Sequence, residues 1–372
     1  MGEEITLFLC GDVMTGRGVD QVLPTPSEPT IHEPYMKSAE GYVRLAEQAH
    51  GKIPRPVDND YIWGEALDEF ERVGPDLKII NLETAITVSD DYWKGKGINY
   101  RMHPDNVGCI TAAEIDCCSL ANNHVLDWGY AGLTETLKTL AEAGIKAVGA
   151  GENLEEAQAP ATFEVSGKGG VVVFGFGSTS SGIPQAWGAS AEKPGVNLLE
   201  DLSEGSVQRV TRAVQGARNE GDIVVLSFHW GSNWGYEIPQ AQREFAHRLI
   251  DEAEVDLVHG HSSHHVKGIE VYNERLILYG CGDFINDYEG IQGYEAFRDD
   301  LSLMYFPRLE ASTGRLLGME MAPTQLRRFQ VHRAAEADAI WIKELLDREG
   351  ERLGTWFTME AENRIRLYWA ED

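Results

Sequence analysis

The chain has 372 residues, 42% of them apolar and 9% aromatic, which suits one large domain with a sizeable core and leaves no room for dominant disorder. A formal net charge of −28 excludes recognition of nucleic acid or an anionic membrane through a general basic field, yet a cation in a pocket could still draw an anionic substrate. Five cysteines without CxxC spacing read as buried, reduced thiols. With no cationic or long apolar leader after MGEEI, a cytoplasmic protein without direct membrane insertion is expected.

Runs enriched in β-branched and aromatic residues predict strands at about 5–11, 77–83, 117–121, 145–149, 170–177, 222–229, 255–260 and 275–280. The stretch from Leu23 to Asp60 carries six prolines and reads as a long excursion, with SAEGYVRLAEQA as a helix inside it. Gly129–Gly144 places Leu133, Leu137 and Leu140 on one helical face and stops at a glycine suited to a C-cap. Similar helices are expected over 203–221 and 238–254. This alternation predicts an α/β fold with a mostly parallel sheet system and helices outside. After Leu301 the text turns to antiparallel strand patterns around one helix, IWIKELLDREG. We therefore divide the chain into a main domain, 1–310, and an extension, 311–372, that completes it.

Five of the apolar runs end in metal-friendly residues: LFLCGD at Asp12, IINLE at Glu83, SLANNH at His124, VVLSFHWG at His229 and LVHGHSSHH at His265. Parallel strands share a direction, so such endings converge on one crevice. Carboxylates, an Asn and imidazoles without thiolates suit one or two divalent ions such as Mn, Fe, Zn or Ca. An Asp or Glu at a strand end can also cap a helix or meet solvent, and repetition of the pattern is what favours the ion. His124 with Asp127 makes an acid/base pair, the carboxylate fixing the imidazole tautomer. Arg17 suits a grip on a substrate phosphate or carboxylate. In GHSSHH, spacing leaves open which of His264 and His265 turns inward. His259 is read as facing away from His261 and as structural. Asp283, Asn286 and Asp287 are read as support for the imidazoles.

GDVMTGR, NLE, LANNHVLDWG, FHWG, GHSSHH and LILYGCGDF together resemble the CapA family of poly-gamma-glutamate capsule synthesis proteins, a branch of the calcineurin-like metallophosphoesterases. The resemblance spans about residues 5–290. It implies a four-layer α/β/β/α sandwich of two mixed sheets with a metal centre at one edge. By position, Asp12, Glu83, Asn123, His229, His261 and His264 match its metal ligands, and His124 its catalytic histidine. Met14 stands where the family's wider pattern has a His ligand, and Glu83 where it has an Asp. A soluble metal-dependent hydrolase of a phosphoester or a peptide-like polyanion is the leading expectation, with metal-bound water attacking and His124 protonating the leaving group. A metal-assisted peptide epimerase and a non-catalytic accessory protein of capsule assembly are the alternatives.

Overall fold

The first strand, Glu4–Val13, is almost wholly buried because it runs through the middle of a sheet that is covered on both faces. A computed structural model describes residues 3–370. Beside the first strand lie Leu77–Leu82, Cys117–Ser119 and Lys146–Val148, all parallel to one another. On its other side Leu301–Glu310 pairs antiparallel, and Leu316–Arg327, Ile365–Trp369 and Thr355–Met359 continue the sheet outward. Residues 311–370 thus add strands to the same sheet that holds Asp12.

A second sheet runs Leu198–Leu199, Gly169–Ser178, Ile223–His229, Leu257–His261, Arg275–Leu278 and Ile269–Tyr272. Its central strands and the edge strand Leu198–Leu199 are parallel, while Ala161–Val165 and Ile269–Tyr272 join antiparallel by hairpins. Alternating side chains separate the layers. Leu7 and Leu9 meet Val171, Val173, Val225 and Leu257 between the sheets. Phe8, Ile80 and Cys118 point outward onto Phe70, Leu133 and Leu140. Val224, Leu226 and Phe228 point outward onto Val207, Val210, Phe245 and Leu249. Helix, sheet, sheet and helix therefore stack in four layers, the sandwich expected.

The helices fall where periodicity placed them, at Gly129–Glu142, Glu204–Ala217 and Gln240–Ala253. Gly144 has φ +78°, the left-handed stop anticipated for the first of these. Within the excursion, Glu40–His50 is helical. The helix Glu336–Gly350 sends Ile342, Leu345 and Leu346 into the space between the sheets and plugs that end of the core. No helix among the described residues is long and apolar enough to cross a membrane.

One close approach sets the edge where the strand ends gather. Asp283–Ile285 pairs parallel with the first strand, Asp12 opposite Asp283. The Asp12 N–H donates to the Gly282 carbonyl at 2.9 Å. A Cβ on Gly11 would stand 1.9 Å from that same carbonyl oxygen. Gly11→Ala must therefore push the two backbones apart, and we expect it to lower unfolding stability by about 1–3 kcal/mol or more in denaturant titration. Gly216→Ala is the control, because it sits in a helix with open space at its Cβ, and should leave stability equal or higher by about 0.5–1 kcal/mol. Equal stability of the two variants would refute the pinning role of Gly11.

Candidate metal centre

The five endings come from both sheets: Asp12, Glu83 and the Asn123–His124 pair from the first, His229 and His261 from the second. Parallel register aligns them, Asp12 lying opposite Asn81 and His229 opposite His261. His259 ties the sheets together through a 2.7 Å hydrogen bond between its Nε2 and the Cys10 carbonyl. It stands on the same face as His261, ring centroids 5.2 Å apart, because residues two apart on a strand point the same way. The expectation that His259 faces away is thus corrected, while its bond to backbone is a structural one.

One ligand atom each from Asp12, His229 and His261 lies within 4.8 Å of the others, and all three residues are buried. The imidazoles touch through their Nδ1 atoms at 2.8 Å. His229 Nε2 meets Asn123 Oδ1 at 3.0 Å, and His261 Nε2 meets Ser227 Oγ at 2.8 Å. Burial, then neighbouring imidazoles, depresses the affinity of both histidines for a proton, so both are neutral. Neutral imidazoles are the form that binds a cation.

Asp12 receives hydrogen bonds from Asn81 Nδ2 at 2.7 Å and the Ser262 N–H at 3.2 Å, and Asn81 also reaches Glu83 at 3.3 Å. Burial, followed by the charge of Asp283, pushes the Asp12 pKa upward. Burial, followed by the charge of Asp12, does the same to Glu83. Among the described residues, the three carboxylates Asp12, Glu83 and Asp283 have only imidazoles as ionic partners: His261 at 3.9 Å, His124 at 3.7 Å and His264 at 2.9 Å. Three buried acids without a Lys or Arg partner are an expensive arrangement that a divalent cation relieves. The donor set fits such an ion.

Beside this group, His124 Nδ1 lies 2.6 Å from Asp127 Oδ2 and its Nε2 faces Glu83. Asp127 is held in turn by the Tyr100 N–H at 2.6 Å and by Lys96 Nζ at 2.6 Å. Burial lowers the His124 pKa to about 4, with Asp127 opposing and Lys96 assisting. Lys96 had no signal in the sequence, since it reaches in from a glycine-flanked loop. Asn81 had one, being two residues before Glu83 on the same strand face.

Of the last two histidines, His264 turns inward and bonds Asp283. His265 packs among Tyr236 and Phe297 and accepts from the Gly235 N–H. Arg17 departs from its expected role as a substrate grip. Its guanidinium donates to both oxygens of Asp287 and to Glu33 at 2.8 Å, and lies 3.7 Å over the Tyr42 ring. With a side chain only 1% exposed, its charge is spent inside the protein. Asp287 accordingly serves Arg17 and supports no imidazole, a second correction, whereas Asn286 does support Asp283 at 3.2 Å.

Known proteins give the same picture a family. The profile described as "Bacterial capsule synthesis protein PGA_cap" matches residues 6–288. A probable polyglutamine synthesis accessory protein of Mycobacterium tuberculosis is 45% identical over 364 residues, covering 98% of this chain and 96% of that protein. The capsule biosynthesis protein CapA of Bacillus anthracis is 26% identical over 82% of this chain and 64% of its own length. The PGA biosynthesis protein CapA of Bacillus subtilis is 26% identical over 82% of this chain and 68% of its own length. With its strand-end residues gathered as above and a profile match running from the first strand through the last of them, this chain belongs to the PGA_cap family of bacterial capsule synthesis proteins.

Proposed function

We propose that the chain is a divalent-metal-dependent hydrolase acting on a phosphoester or an amide-linked, peptide-like polyanion related to poly-gamma-glutamate. The observation that carries this reading is the set of buried carboxylates, neutral imidazoles and one acid/base pair within a single crevice. Relatives named for capsule and polyglutamate synthesis support a polyanionic substrate. Five free, buried thiols suit a reducing, cytoplasmic setting.

Asp12, Glu83, Asn123, His229 and His261 would hold the ion, which supplies Lewis-acid activation of the attacked group and of water. Asp127 accepts a hydrogen bond from the Nδ1–H of His124, the tautomer that leaves a lone pair on Nε2, the nitrogen that faces the crevice. Because His124 is neutral at pH 7, it acts first as a base toward the attacking nucleophile and only then returns that proton to the leaving atom. Lys96 Nζ holds Asp127 Oδ1 at 2.6 Å and also lies 2.8 Å from His124 Nδ1, so its charge keeps His124 from charging prematurely.

Two further readings have an observation behind them. The His264–Asp283 contact at 2.9 Å is a second acid/base pair of the kind a peptide epimerase needs. The Mycobacterium relative's name, an accessory protein, favours a partner in assembly without turnover. Screening phosphoesters and gamma-glutamyl peptides in heavy water separates the three: cleavage, deuterium uptake without cleavage, or neither.

His124→Ala should abolish cleavage, by about 100-fold or more, while bound metal measured by elemental analysis stays unchanged. Full activity in that variant would remove His124 from the mechanism. A pH dependence follows from the carboxyls. The folded pKa values of Asp12 and Glu83 lie above their unfolded ones, so in metal-free protein their contribution to stability is present at low pH and is lost as pH rises through the raised values. A cation requires both groups deprotonated, so the gain in Tm on adding manganese(II) should grow from about pH 5 to about pH 8. A gain that is constant or shrinks over that range would contradict a metal held by these acids.

A further inference from the structure

We propose that a cationic pocket outside the crevice, between the helix Glu40–His50 and the turn joining Leu316–Arg327 to Gln330–Arg333, is a docking site for a polycarboxylate chain held by Arg327 and Arg328. The inference rests on the polyanionic-substrate reading above and adds to it a place where a gamma-linked glutamate polymer is gripped at a distance from the reacting bond.

Uncommitted charge is the first support. The pocket has a volume of about 450 Å³ and is lined by His50, Arg327, Arg328, His332 and Arg333, with Glu65 as the acid among its lining residues. Arg333 is committed to Glu69 at 2.6 Å, and His332 lies 3.5 Å from Glu65. Glu289, the other acid beside the pocket, contacts His50. Arg327 is exposed and Arg328 half-buried, and among the described residues neither guanidinium has an ion-pair partner. That is notable in a chain with 60 acids against 32 basic residues. Charges beyond about 10 Å are screened at 0.1 M salt, so an anion entering the pocket answers to these cations more than to the net charge of the protein.

Backbone strain is the second. Arg328 and Phe329 are the two central residues of the turn, and both have positive φ, +55° and +57°. Such a turn favours Asn and Gly, and a bulky side chain there is held at a cost. Core burial accounts for Phe329, whose side chain is fully buried. No such burial accounts for Arg328. Its N–H donates to Glu289 Oε2 at 2.8 Å and its carbonyl accepts from the Tyr61 hydroxyl at 3.0 Å, backbone bonds that an asparagine would make equally. The arginine side chain has no part in holding the turn and is left to face the pocket.

Position is the third. Glu289 also accepts from the Phe329 N–H at 2.7 Å, and so fastens the turn to the segment that follows Asp283 along the crevice. From Asp283 to Glu289 the chain spans at most about 20 Å. A polymer of linked carboxylates can therefore sit in the pocket while one of its bonds lies in the crevice. Guanidinium forks match carboxylates, and a second tethered contact raises affinity for long chains over short ones.

The test uses the full chain stripped of metal, so that binding is read apart from turnover, with a fluorescein-labelled gamma-linked glutamate oligomer followed by fluorescence anisotropy. Wild type should bind it, more weakly as salt rises. Arg327→Gln combined with Arg328→Asn should weaken binding by about 10-fold or more, with Tm unchanged or raised because Asn is at ease in the turn. Arg212→Gln combined with Arg352→Gln removes the same charge from exposed positions outside the pocket and should leave binding within about 2-fold of wild type. Equal loss in the two double variants, full binding by the Arg327 and Arg328 variant, or no binding by wild type overturns the docking site. Tighter binding of polyphosphate of matched length, with the same dependence on Arg327 and Arg328, overturns the assignment to a polycarboxylate. Cleavage of short gamma-glutamyl peptides by metal-loaded wild type decides the hydrolase reading separately.

Discussion

Three carboxylates are buried in a crevice that contains no lysine or arginine ion pair for them among the described residues, and the rest of the site is arranged around that cost. Burying an uncompensated charge costs several kcal/mol, so such groups persist only with a proton or a cation among them. The nearby cations are already committed elsewhere. Lys96 is bound to Asp127, and Arg17 to Glu33 and Asp287. With those cations committed elsewhere, the acids of the crevice are left to share a proton or a metal ion among themselves.

The sandwich supplies what the electrostatics need. Side chains at the strand ends of two sheets can meet only if the sheets end at the same level, and the His259 bond to the Cys10 carbonyl sets that level just beneath Asp12 and His261. Strands so apolar on both faces have few ways to shift register without exposing core, which makes the positions of Asp12, His229 and His261 a consequence of packing. The hydrolytic reading draws on rigidity of this kind, because a base and a cation must keep their separation through the reaction.

Much of this was legible in the chain. Strand ends showed as abrupt changes from apolar runs to Gly with Asp, Asn or His, and helix faces showed through leucine spacing. The orientation of His264 over His265 was not legible, since a three-residue turn can present either. Lys96 was hidden because its place depends on how a glycine-flanked loop folds back on His124. Arg17 was misread because its partners, Glu33 and Asp287, come from an excursion and from a segment 270 residues away, and nothing local announces either. The pairing of Asp283 with Asp12 was hidden for the same reason, its strand being three residues long.

The guanidinium of Arg17 also joins two regions that meet again where His50 contacts Glu289. Glu33 belongs to the proline-rich excursion, and Asp287 follows directly on the strand that carries Asp283. Pulling the excursion away would break the buried Arg17–Glu33 pair and leave Arg17 on Asp287 alone. The excursion is thus latched to the floor of the crevice through a guanidinium that Asp287 already holds in place.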